Sequence, residues 1–180
     1  MGNGNSWQKR QRSYNKKGFK AVSKPKVLKY EAPFPLEKVY ITPFSKQLVE
    51  SDSGKSYAPI SKNEQPSGFP VFDDYVVLLS NGSKQFDKLC EQYGIARNDL
   101  SSLVFMFTGL PSDEFRRRYM VRMADELLRY TDLDYAEVAR RCGMGTKMNL
   151  YWTMKREYGI SFDERRKALR KEGDLDKFQL

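Results

Sequence analysis

The side chains that most often move protons or hold metals at neutral pH are nearly missing from this chain. It contains no histidine, and its two cysteines, Cys90 and Cys142, lie far apart in sequence. Without histidine the usual general acid–base route is closed. Two isolated cysteines make neither a disulfide framework nor a zinc ligand set, and they read as small buried apolar residues. No nucleophile–base constellation and no glycine-rich phosphate loop occurs. The sequence therefore argues against an enzyme, and no metal and no cofactor is expected. What the chain has in quantity is cation: 32 Lys and Arg against 23 Asp and Glu, a formal net charge of +9. That balance suits a polyanionic partner, nucleic acid or an acidic membrane surface.

The excess charge is concentrated. Residues 1–69 hold 13 Lys/Arg and 5 Asp/Glu, whereas residues 70–180 hold 19 and 18. Within residues 1–30 there are nine cations and no acid, with Trp7, Tyr14 and Phe19 spaced among Gly, Asn and Ser. Such a segment cannot bury enough apolar surface to offset its ordering entropy. It is expected to be a disordered basic arm, either a solubilising tail or an arm whose cations contact phosphate and whose rings stack. No apolar run approaches the roughly 20 residues that cross a bilayer. The polar first 25 residues lack a signal peptide's apolar segment. A cytoplasmic protein with reduced thiols and no membrane partner is the expectation.

The elements that must position any binding residue begin after this arm. Residues 31–69 are punctuated by Pro33, Pro35, Pro43, Pro59 and Pro66. They read as an irregular strap, with short extended pieces at Lys38–Thr42 and Gln47–Glu50, a turn at Ser51–Gly54 and a linker at Asn63–Gly68. From residue 70 the apolar spacing becomes helical. One helix carries Phe72, Tyr75, Val76 and Leu79 and ends at Asn81-Gly82. A long helix from about Ser112 to Tyr130 carries Phe115, Tyr119, Met120, Met123, Ala124, Leu127 and Leu128 at steps of three and four. Arg165–Lys171 suggests a final amphipathic turn or two.

Two segments share one plan. Lys84–Gly109 and Asp134–Gly159 each read as a short helix, a tight turn and a second helix closed by glycine. Each has a small residue midway along the first helix, Cys90 or Ala139, where a second helix can cross closely. Each has a glycine four positions later, Gly94 or Gly143. The fold class expected is all-α: two helix-turn-helix units joined by a long linker helix, in a domain spanning residues 70–180, preceded by a disordered or irregular extension.

Residues 71–171 resemble the DNA-binding domain of AraC-type transcription regulators, running without a gap from Asp87 to Arg166. The linker-helix signature corresponds to Ala124, Leu127, Leu128, Thr131 and Asp132. The opening of the second unit corresponds to Glu137, Val138, Ala139, Gly143 and Met144, and its close to Lys155, Arg156, Gly159, Ser161 and Arg166. The resemblance implies recognition helices at about Arg97–Thr108 and Thr146–Tyr158, each entering one of two successive major grooves of double-stranded DNA. The residues it would place against bases or phosphates are Arg97, Asn98, Asp99, Ser101 and Ser102, then Thr146, Lys147, Asn149, Tyr151, Lys155 and Arg156. Arg and Lys suit guanine or phosphate, and Asn suits adenine.

The chain departs from the family pattern at several points. Ser102, Phe105 and Met106 stand where a cation is usual in the first recognition helix, and Trp152 does so in the second. Met120 replaces a common arginine, and Val104, Leu150 and Met154 replace phenylalanines. The arginines at 116–118 read as a solvated helix face. The function implied is a DNA-binding transcription regulator of AraC type. The alternative is the same fold reused for protein contact or structural nucleic-acid binding, as in a phage or mobile element, with Phe105, Met106 and Trp152 forming a protein-binding patch or packing under the arm. Family regulators often carry a sugar-binding β-barrel of roughly 150 residues. The extension here is too short for one, so no small-molecule effector is expected.

Overall fold

The computed structural model describes residues 31–52 and 54–180. The basic arm of residues 1–30 lies outside the described residues. Along the described chain run α1 (Leu36–Val39), β1 (Lys46–Ser51), β2 (Gly54–Pro59), α2 (Pro70–Ser80), α3 (Phe86–Tyr93), α4 (Arg97–Thr108), α5 (Ser112–Tyr130), α6 (Tyr135–Arg141), α7 (Lys147–Tyr158), α8 (Phe162–Leu169) and β3 (Phe178–Gln179).

Local chemistry sets most helix ends. Pro70 opens α2, where its missing N–H costs nothing. The Asp134 carboxylate accepts the Ala136 and Glu137 N–H groups at 2.8 and 2.9 Å and caps α6. Ser161 and Glu164 form a reciprocal capping box on α8, which starts at Phe162, three residues before the turn expected from the sequence. Gly94, Gly109 and Gly159 close α3, α4 and α7 in the left-handed conformation.

The spine is α5. Phe115, Tyr119, Met123, Ala124, Leu127 and Leu128 are fully buried, as the three- and four-residue spacing requires. Around it lie Phe72 and Val76 of α2, Val104 of α4, Val138 and Ala139 of α6, and Leu150 and Met154 of α7. Seven helices cover the region from Pro70 to Leu169 without an intervening strand.

The fold is nevertheless not all-α. A three-stranded antiparallel sheet, order β2-β1-β3, joins the strap to the C-terminus. Its hairpin pairs Lys46 with Pro59 through to Ser51 with Gly54, and Gln47 pairs with Phe178. Little of the hairpin is buried, so no apolar alternation marks it, and its third strand comes from some 130 residues later in the chain. Aromatic packing anchors it: Phe178 stacks on Phe44 at 5.0 Å and meets Tyr130 edge-on at 4.7 Å. The extended piece expected at Lys38–Thr42 is also corrected. Leu36–Val39 forms one helical turn behind Pro35, which suits a helix start.

The strap is tied to the helices by polar as well as apolar contacts. The Ile41 N–H donates to the Tyr119 hydroxyl at 3.0 Å, and that hydroxyl donates back to the Ile41 carbonyl at 3.3 Å. Tyr40 and Thr42 both donate to a Glu126 carboxylate oxygen at 2.9 Å. Phe34 packs against Phe107 at 5.4 Å.

Candidate nucleic-acid interface

The second helices of the two units, α4 and α7, are each 12 residues long and end in a glycine at the same position. Equivalent residues are fifty apart: Arg97 with Lys147, Leu100 with Leu150, Val104 with Met154, Gly109 with Gly159. Both helices bury two equivalent positions, Leu100 and Val104 in one, Leu150 and Met154 in the other, and α4 buries Phe107 and Thr108 as well. At about 100° per residue, the opposite face carries Asn98, Ser102, Phe105 and Met106 in α4. In α7 it carries Met148, Trp152, Lys155 and Arg156. The geometry is duplicated, but the chemistry presented is not.

In α4 the charged groups, Arg97 and Asp99, are already engaged. The Arg97 guanidinium grips the Asp87 carboxylate of α3 with two bonds, one of 2.5 Å from Nη2. That pair holds the Asp87 carboxyl below its ordinary range. Ala96 has no side-chain acceptor, and the Asp99 carboxylate turns back to accept the Ala96 N–H at 2.9 Å. Ser101 Oγ lies 3.1 Å from Ser112 Oγ of α5. Asn98 and Ser102 are exposed. Phe105 and Met106 are also exposed, 53% and 51%.

The second unit is more basic. Its second helix, α7, has no acid in the first turn and carries Lys155 and Arg156 in the last, ahead of Glu157 and Tyr158. Thr146 Oγ1 accepts the Asn149 N–H at 3.2 Å and caps the helix. The Asn149 side chain donates from Nδ2 to the Met144 carbonyl at 2.9 Å, bracing the turn. The Lys147 ammonium lies over the Tyr135 and Phe162 rings, 5.6 and 5.4 Å from their centroids. Tyr151 is half-buried, edge-on to Phe162 at 6.0 Å. Lys155 Nζ sits 3.5 Å from the Gly159 carbonyl, and Arg156 Nε 3.3 Å from Glu157. The structure thus gathers Thr146, Lys147, Asn149, Tyr151, Lys155 and Arg156 along one helix and its cap, each with a local capping, packing or polar partner.

Met148 is not among the residues that the resemblance places at this interface. It is 60% exposed and stands one turn before Trp152, which is 63% exposed. The signal is present in the sequence: with Leu150 and Met154 assigned to the core, the helical period places Met148 and Trp152 outside. The arginine run divides. Arg116 and Arg118 pair at the surface with Asp113 and Glu114. Arg117 joins Glu114 to Glu157 and so ties α5 to α7.

The turn that follows α2 meets the second unit at a tight joint. A Cβ on Gly82 would lie 2.4 Å from the Arg141 carbonyl oxygen, and one on Gly143 would lie 3.3 Å from Gly82. Both glycines have positive φ, +64° and +79°. Beside this joint is a notch of about 250 Å³ bordered by Lys84, Arg116, Met120, Asn149 and Thr153.

Several solved structures are similar to parts of this chain. One is a transcriptional regulator of Chromobacterium violaceum described as an AraC-type DNA-binding domain-containing protein, 18% identical, TM-score 0.48, covering 59% of this chain and 97% of that one. Another is the DNA-binding domain of AdpA in complex with a target DNA, 23% identical, TM-score 0.49, covering 55% and 91%. A third is the C-terminal domain of the response regulator AraT from Geobacillus stearothermophilus, 21% identical, TM-score 0.47, covering 53% and 78%. No protein-family model matches the chain, and no curated protein does. Among the described residues, no helix is long and apolar enough to cross a membrane, and no group of three or more Cys, Asp or Glu is placed to hold a metal.

Proposed function

We propose that the chain is a DNA-binding transcription regulator of AraC type, with α4 and α7 entering successive major grooves. The observation that carries this reading is the duplicated pair of twelve-residue helices, each set on its unit by the same buried positions and each presenting the same outer face. An α-helix so presented fits the major groove, where every base pair offers a distinct pattern. In this reading the chain divides by role. Residues 1–30 add salt-dependent attraction to phosphate, residues 31–69 strap the helical body, and residues 70–180 dock.

The two units contribute unequally. The cation of α4 is held by Asp87, and its outer end is apolar, so it offers little to phosphate. Lys155 and Arg156 occupy the corresponding outer end of α7 and suit the backbone flanking a groove. The second unit therefore carries most of the affinity. Selection from a pool of random duplexes at two salt concentrations tests the reading. Enrichment of a common sequence at both supports it. Equal retention of every duplex at low salt, lost at moderate salt, contradicts it.

A further inference from the structure

The base-facing end of α7 offers less hydrogen-bonding capacity than its sequence suggests. In helix-turn-helix docking it is the N-terminal half of the second helix that meets base edges. There Thr146 Oγ1 is occupied as the helix cap and the Asn149 amide bonds to the Met144 carbonyl. The Lys147 ammonium lies over two rings. What projects from this half of the outer face is Met148 and Trp152, side by side at helical spacing and the most exposed large apolar side chains among the described residues. Such a patch would ordinarily be a liability in water. Here it is continuous with Lys155 and Arg156 on the same face, and no acid stands in the first turn of the helix. A neighbour that is negatively charged at its edges and apolar in the middle matches that layout. Duplex DNA is such a neighbour where thymines line the major groove, because each displays a C5-methyl group there between two phosphate backbones.

We infer that Met148 and Trp152 set the sequence preference of the second unit by covering thymine C5-methyl groups in the major groove. This rests on the DNA-binding reading above and adds to it the base class that is read and the residues that read it. Thioether and indole both suit contact with a methyl group. Methionine adapts its shape and is polarisable, and tryptophan offers a rigid apolar plane. Neither demands a hydrogen-bond partner from the base edge, since the indole N–H can remain in solvent at the groove margin. Preference would fall on the number and spacing of thymines rather than on a guanine contact.

The test exchanges thymine for deoxyuridine, which removes the methyl and leaves base pairing and charge unchanged. The full chain is used with the duplex enriched from a random pool, remade with deoxyuridine at each thymine in turn. Affinity should fall about fourfold for each methyl that is buried, at one to three positions clustered within one helical turn of DNA. Met148→Ala and Trp152→Ala should each bind the thymine and deoxyuridine duplexes alike at the positions they cover, and Met148→Leu should keep the discrimination. Both side chains are mostly exposed, so the variants should retain the parent's circular dichroism. Sequence-specific binding that ignores the thymine methyls, or discrimination that survives both alanine substitutions, would leave this face to a protein partner and overturn the inference while the DNA-binding reading stands. Failure to enrich any duplex would overturn both.

Discussion

Glu126 shows how much a single residue's setting alters its cost. Its carboxylate accepts from Tyr40 and Thr42, yet burial raises its pKa above the ordinary carboxylate value. For an acid raised in the folded state, ionisation costs stability at pH above the folded pKa, and the cost shrinks as pH falls below it and is gone below the unfolded pKa. Glu126→Gln should therefore raise the thermal midpoint at neutral pH, with the gain shrinking to nothing below the ordinary carboxylate range. A gain independent of pH would mean that packing, not charge, is responsible. Cys142 is subject to the same effect: burial pushes its thiol up to about 11, consistent with an inert core residue. Much at this scale was legible from sequence, including the buried cysteines and the core leucines of the long helix. The engagement of Asn149 with Met144 and of Arg97 with Asp87 was not, because helical spacing gives a face but not a rotamer or a partner.

Elements were legible where periodicity is strong and silent where pairing is distant. The helices from Pro70 to Leu169 follow apolar spacing and their glycine ends. The sheet escaped because its hairpin is mostly exposed and its third strand follows the last helix; only the turn at Ser51–Gly54 and the extended Gln47–Glu50 were readable. The joint between the turn after α2 and the second unit depends on backbones meeting at Gly82 and Gly143, which no local pattern reports. Gly82→Ala should lose about 1–2 kcal/mol from its left-handed backbone alone, with the clash on the Arg141 carbonyl added to that. Gly94→Ala is the matched control, with φ of +63° and nothing near its Cβ. Urea unfolding should show Gly82→Ala clearly the more damaging. Equal losses would mean that the joint yields freely.

For the whole molecule, the two units share a scaffold and differ in charge. On the proposed reading, shared geometry with divergent outer faces would let a nearly neutral helical region dock on DNA: cation is placed at one helix end while residues 1–30 supply most of the excess. The sequence made the duplication plain, whereas the inequality between units became clear only when Arg97 was seen against Asp87 and Phe105 and Met106 at the positions of Lys155 and Arg156. The measurement that tests this most directly is the salt dependence of binding to the enriched duplex. Each phosphate contact contributes about 0.9 to the slope of log affinity against log salt concentration. Lys155→Ala with Arg156→Ala should reduce that slope by about two, and Arg97→Ala should leave it nearly unchanged. An unchanged slope in the double variant, or an equal loss from Arg97→Ala, would contradict docking led by the second unit.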